Sequence, residues 1–266
     1  MKKFIQSATL ALLLLTVGFT SCRKNESSES DLTSMQDQNS ADFNVDLVVK
    51  EVDMAATDGG LKKGGFPIVA IDSIASPRTM TIDYGTTNYV CEDGNLRRGI
   101  ILVTWTGAYR QPGTVITINF KDFYQNNNHV EGIKTISNTG LNSSNQMTYM
   151  VVVEMKVTNT SNEVYNWTSN RTRTWISGYD TKTKWDDIYL ISGTSSGTNR
   201  RGDLFTARTI SDLKIDMSCQ WRIVSGTIEM NPEGKSTRTI DYGNGNCDNE
   251  ISVTVNGKTR TMSRRK

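Results

Sequence analysis

The sequence predicts an all-β fold: an antiparallel meander of long strands forming a curved sheet or a sandwich, with internal hairpin repeats. Three observations carry this. First, apolar and polar residues alternate with period two. Tyr149, Val151, Val153, Met155 and Val157 interleave with Met150, Val152, Glu154 and Lys156, and Ile116, Ile118 and Phe120 with Thr117, Asn119 and Lys121. Such runs put one face on a core and the other toward water. Second, turn chemistry separates the runs, at Gln111-Pro112-Gly113, Asn126-Asn127-Asn128, Asn159-Thr160-Ser161-Asn162 and Asn231-Pro232-Glu233-Gly234. Third, Thr81-Ile82-Asp83-Tyr84-Gly85 recurs as Thr239-Ile240-Asp241-Tyr242-Gly243.

Along the chain, residues 1–21 read as a cleavable signal peptide. Lys2 and Lys3 are followed by an apolar run from about Ala8 to Phe19, too short for a bilayer core that needs roughly 20 residues. The small residues before Cys22 resemble the lipobox of bacterial lipoproteins, and that resemblance implies a diacylglycerol on the Cys22 thiol and cleavage just before it. Residues 22–42 hold no aromatic residue and few apolar ones, which predicts a lipid anchor and a disordered tether. Taken as a flexible coil it reaches about 25 Å r.m.s., with a taut limit near about 70 Å. Residues 43–60 are the one helix-like stretch, with Leu47, Val48, Glu51, Val52 and Ala55 near one face and Gly59-Gly60 as a stop. It is expected as a short helix capping the end of the sheet or as a docking segment for a partner. Residues 66–263 form the single β-rich domain.

The repeat extends beyond its pentapeptide. Cys91 and Cys247 follow the two copies, and Ile101-Leu102-Val103-Thr104-Trp105-Thr106-Gly107 matches Ile251-Ser252-Val253-Thr254-Val255-Asn256-Gly257. The second copy ends soon afterwards, so one sheet system built from repeated hairpins is expected, not two domains. Gly132, Gly178, Gly193 and Gly226 each follow an apolar-polar pair; they are expected at one height in several strands, curving the sheet. Folding the chain about the Asn231–Gly234 turn sets Cys219 nearly opposite Cys247, a separation that suits a disulfide. Cys91 is then the free thiol.

Formal net charge is +2, with both signs mixed along the chain. A clustered basic face is missing from the sequence, so nucleic acid is not an expected partner. Zinc is a poor prospect with no C-x-x-C pair and one histidine, and neither metal nor cofactor is expected.

The two T-I-D-Y-G elements, Trp175-Ile176-Ser177-Gly178, Gly197-Thr198-Asn199-Arg200-Arg201-Gly202 and Tyr242-Gly243-Asn244-Gly245-Asn246-Cys247-Asp248 together resemble an uncharacterised family of lipoproteins of Bacteroidota. The resemblance runs through most of the mature chain. It implies a β-rich outer-membrane lipoprotein of the bacterial cell envelope, on its periplasmic or surface face, and supplies no catalytic residue.

No catalytic residue is assigned. His129, the single imidazole, lies at a hairpin tip, and Asp186-Asp187, adjacent on the chain, point apart if they lie on a strand. Trp105, Trp175, Trp185 and Tyr189 are the ligand-binding candidates, because aromatic faces stack on sugar rings. The expected role is a non-enzymatic binding or scaffold module held to a membrane through lipid on Cys22, with a glycan or an outer-membrane protein as partner. The alternatives are a carboxylate-dependent hydrolase of envelope or dietary glycans and an accessory subunit of an outer-membrane complex.

Overall fold

Fourteen strands, each pairing antiparallel with its neighbours, make one open sheet in a computed structural model that describes residues 31–38, 66–91, 93–108, 110–181, 183 and 185–264. In chain order they are β1 (Ile68–Asp72), β2 (Arg78–Asp83), β3 (Tyr89–Val90), β4 (Leu96–Trp105), β5 (Val115–Gln125), β6 (Asn128–Leu141) and β7 (Met147–Thr158). There follow β8 (Val164–Ser177), β9 (Ile188–Thr198), β10 (Leu204–Asp216), β11 (Ile223–Pro232), β12 (Arg238–Asn244), β13 (Glu250–Val255) and β14 (Lys258–Ser263). Spatial order follows chain order, apart from the two-residue β3, which pairs with β4 off the main path. The fold is therefore one open, meandering sheet, with β1 and β14 as its edges. Cys22, the signal peptide, Tyr109 and the helix-like stretch 43–60 lie outside the described residues.

Side-chain alternation decides the faces. Met80, Val103, Ile118, Lys134, Val153 and Ser169 face one another in succession from β2 to β8, and all are buried. One residue away, Thr79, Thr104, Thr117 and Thr135 form the matching row on the wet face. That row continues through Val152, Asn170, Thr194, Arg208, Glu229, Thr239 and Thr254 to Thr259 on β14 without a break in register. β-Branched threonine satisfies the pleat on the solvent side while valine, isoleucine and aromatics fill the other. Three clusters share the buried face: one on β2 to β8, one on β10 to β13, and one around Trp175.

Both repeat copies fold alike at their tyrosines. Ile82 and Tyr84, like Ile240 and Tyr242, are buried. Asp83 Oδ1 accepts the Gly85 N–H at 2.7 Å, and Asp241 Oδ1 accepts the Gly243 N–H at 2.8 Å. Their hairpins differ in register, since Ile82 faces Ile101 while Ile240 faces Val253, the counterpart of Val103. A shift of two residues keeps every side chain on its own face.

Two expectations about placement need correction. The four glycines do not share a height. Gly132 faces Met155 and through it Trp167 of β8, whereas Gly193 faces Arg171 and Gly226 packs on Leu213, which leads through Ile191 to Arg173; Gly178 lies past the end of β8. Each serves its own strand pair. A Cβ on Gly132, Gly193 or Gly226 would lie 2.1, 2.2 or 2.4 Å from the carbonyl oxygen of Glu154, Asn170 or Asp212, so the close contacts step diagonally across the sheet.

The second correction concerns the tether. Within it, residues 33–38 form a helix, α1, docked where the β9–β10 and β11–β12 turns meet. Asp31 Oδ1 caps the helix by accepting from the Thr33 N–H at 3.0 Å and Oγ1 at 2.7 Å. Leu32 and Met35 join the β10 to β13 cluster. Lys235 Nζ bridges Asp31 and Asp203 at 2.5 and 2.6 Å. Asp37 accepts from the Arg200 backbone N–H at 2.7 Å and from its Nε at 2.6 Å, and Asn199 Nδ2 donates to Ser34 at 3.0 Å. Arg238, fully buried, donates to the Asp31 carbonyl at 2.8 Å. Counter-charges from distant turns thus order a segment whose own composition lacks a core.

Candidate functional site

A shallow, open furrow of about 490 Å³ crosses the wet face over β7 to β11. One wall is the row Val152, Asn170, Thr194 and Arg208; the other is Glu154, Thr168, Ser196, Thr206 and Asn231. Between the rows run the backbones of Val153, Ser169, Ser195 and Ala207, whose side chains point to the buried face. Short hydroxyl side chains in the middle and longer ones at the ends make the strip concave. Thr168 Oγ1 lies 3.0 Å from Ser196 Oγ, and Arg208 Nε donates to Glu229 Oε1 at 2.9 Å. The hydrogen bond from Arg208 lowers the Glu229 carboxyl from its ordinary value, and Glu154 is exposed at the opposite end. The walls offer hydroxyls and amides that both donate and accept, suited to a neutral polyhydroxylated chain laid across the strands.

The aromatic candidates sit elsewhere. Trp175 and Tyr189 pair across β8 and β9 with ring centroids 5.3 Å apart, both buried, and Tyr149 lies 6.3 Å from Trp175. Tyr179 meets Trp175 edge-on at 5.2 Å. Trp185 is exposed in the loop between β8 and β9, and half-buried Trp105 packs against the larger core cluster near the end of β4. The structure therefore gathers Trp175 and Tyr189 into an interior cluster, exposes Trp185 in the loop, and leaves Trp105 with the larger core cluster. They do not make an exposed ladder.

Asp187 organises this cluster. Its Oδ1 accepts from Trp175 Nε1 at 3.1 Å and its Oδ2 from the Tyr189 hydroxyl at 2.8 Å. Burial pushes its carboxyl above the ordinary value; the two hydrogen bonds offset this in part, and neighbouring Asp186 adds to the rise. The Arg110 guanidinium caps the cluster 4.9 Å from the Trp175 ring centroid and 5.0 Å from that of Tyr179, and donates to the Thr181 carbonyl at 3.0 Å. Asp186 accepts from the Thr181 hydroxyl at 3.0 Å. Both carboxylates thus hold the loop in shape. His129 stacks on Tyr124 with ring centroids 4.6 Å apart, and the Arg98 guanidinium lies 3.7 Å from the same Tyr124 centroid.

Cys219 and Cys247 form a disulfide with Cα atoms 5.5 Å apart, and Cys91 is buried and not disulfide-bonded. Both bonded cysteines lie in the loops that follow β10 and β12, not facing one another within strands. The β11–β12 hairpin pairs Ile228 with Ile240, so its turn falls later than the Asn231–Gly234 centre used for the arithmetic. Among the described residues no group of three or more His, Cys, Asp or Glu could hold a metal ion.

The furrow is absent from the sequence-derived candidates. Its signal was the alternate Thr, Ser and Asn positions in three consecutive strands, at Thr168 and Asn170, Thr194 and Ser196, and Thr206. Comparison with protein-family models, with curated proteins and with solved structures gives no match to this chain.

Proposed function

We propose that this is a lipid-anchored lipoprotein of the bacterial cell envelope, of the Bacteroidota kind its motifs resemble, acting as a non-enzymatic binding module. Its contact surface is the wet face of the sheet, and its ligand class is a glycan strand. The observation that carries this reading is the furrow of hydroxyl and amide side chains across β7 to β11. The carboxylates nearest to a catalytic arrangement support binding over hydrolysis, since Asp187 spends both oxygens on Trp175 and Tyr189. Calorimetric titration with soluble envelope and dietary oligosaccharides tests it. Replacing Thr194 and Ser196 with leucine fills the furrow and should weaken binding at least tenfold, while Trp185→Ala leaves it unchanged. Binding that survives the leucines and fails with Trp185→Ala moves the site to the loop.

A second reading, an accessory subunit of an outer-membrane complex, is favoured by one edge of the sheet. Ile68 and Ile71 of β1 are exposed, as are Phe66 and Ile74 beside it. An apolar edge strand offers backbone and side chains for strand addition.

A further inference from the structure

The docked helix fixes which end of the sheet a membrane can approach. Asp31 sits among Arg201, Asp203 and Lys235, at the end of the sheet formed by the β9–β10 and β11–β12 turns. The chain from Cys22 to Asp31 is nine residue steps, a taut reach of about 32 Å at roughly 3.3–3.6 Å per residue. The sheet is longer than that. β9, which runs from the turn under α1 to the other end of the sheet, has 11 residues, which span about 36 Å at roughly 3.3 Å each. The β6–β7 and β8–β9 loops and the disulfide lie at the far end. With Cys22 in a bilayer, a far-end-down arrangement would lift Asp31 about 36 Å or more from the lipid, beyond the taut reach of its own chain.

We infer that the turn end bearing α1 is the membrane-facing surface of this protein, and that the end carrying Trp185, Asp186 and the Cys219–Cys247 bond is presented away from the lipid. The inference rests on the lipid anchor at Cys22 proposed above. It gives α1 a role: the ion pairs of Asp31 with Lys235 and of Asp37 with Arg200 shorten a tether that would otherwise let the body turn over. The furrow, which crosses the strands between the two ends, then stands off the lipid and open from the side.

The test uses the full mature chain on phosphatidylcholine vesicles with an energy-transfer acceptor on the headgroups. A donor dye is attached through an azide-bearing residue replacing Ser161, in the β7–β8 turn, or Ser143, in the β6–β7 turn. Transfer should be at least twofold stronger from position 161. Equal transfer, or stronger transfer from position 143, overturns the inference. Inserting about 20 Gly/Ser residues between Cys22 and Asp31 leaves the sheet untouched and should bring the two positions toward equality; a ratio unmoved by the insertion shows that reach is not the cause and also overturns it. Asp31→Ala with Asp37→Ala should act in the same direction. A maleimide lipid coupled to Cys22 keeps the geometry readable if the cell attaches none, so failure of the native anchor is told apart from failure of the orientation.

Discussion

Asp187 shows how much a single carboxylate does for the β8–β9 end of the sheet. Removing it takes from the Trp175 indole N–H and the Tyr189 hydroxyl, both buried, the carboxylate each donates to, a cost of about 1–3 kcal/mol for each hydrogen bond lost. Asp187→Ala should therefore lower unfolding free energy by about 3 kcal/mol in urea titration and loosen the Trp175 environment, read as lost near-ultraviolet dichroism. Gly178 is bound to the same group, because at φ +84° a Cβ there would sit 2.4 Å from Asp187 Oδ1. Gly193→Ala should cost more than about 2 kcal/mol, since its Cβ would meet the Asn170 carbonyl. Strand glycines of this kind were visible in the sequence; their heights were not, because register depends on bulges such as the one between Thr209 and Ser211. Asp187 was legible only as half of an adjacent acidic pair, since nothing in the chain order says that Trp175 and Tyr189 turn toward it.

Turns and edges account for the order of the elements. Three hairpins reuse one device. Asn142, Asn159 and Asn199 each accept two backbone N–H groups through Oδ1, from Ser144 and Gln146, from Ser161 and Glu163, and from Arg201 and Asp203. Asn145, Asn162 and Gly202 take the positive φ that closes each loop. Of these three, the Asn159–Asn162 turn was readable in sequence for this reason: asparagine both caps a turn and tolerates the left-handed region. The edges are treated unequally. On β14, Lys258 and Arg260 pair with Val255 and Val253 and so place charge on the buried-face side, a device that blocks edge pairing. Lys258→Val with Arg260→Val should raise sedimentation-detected association.

The helix α1 is held by electrostatics that sequence composition hid. Burial raises the Asp31 carboxyl, but hydrogen bonds from Lys235 and Thr33 outweigh it and hold it well below its ordinary 3.8. Asp203 is lowered by Lys235 and Asn199. Their contribution is present above pH 3.8 and is lost as pH falls below it toward the folded values. The protection factors of the residue 31–38 amides, each taken against the intrinsic exchange rate at the same pH, should fall in acid before those of the strands do. Asp37→Ala should remove protection of the Arg200 amide, whose acceptor it is.

At the scale of the whole molecule, a 14-stranded open meander has only neighbour-to-neighbour pairing, and the disulfide ties its last third. Cys219 and Cys247 are 28 residues apart, a loop whose closure entropy corresponds to about 3.6 kcal/mol. Cys219→Ala with Cys247→Ala should lower stability by about that much without altering the strand order. The sheet itself was legible because period-two alternation is local and the core and wet faces follow from it. The furrow was not, because concavity belongs to five strands together. Lipid on Cys22 is the central proposal, and the place and orientation proposed for this protein both rest on it. Mass spectrometry of the N-terminal peptide from the envelope-extracted protein tests it most directly. The account predicts a peptide that begins at Cys22 and carries a thioether-linked diacylglycerol. A peptide that begins elsewhere, or an unmodified thiol at Cys22, would contradict it.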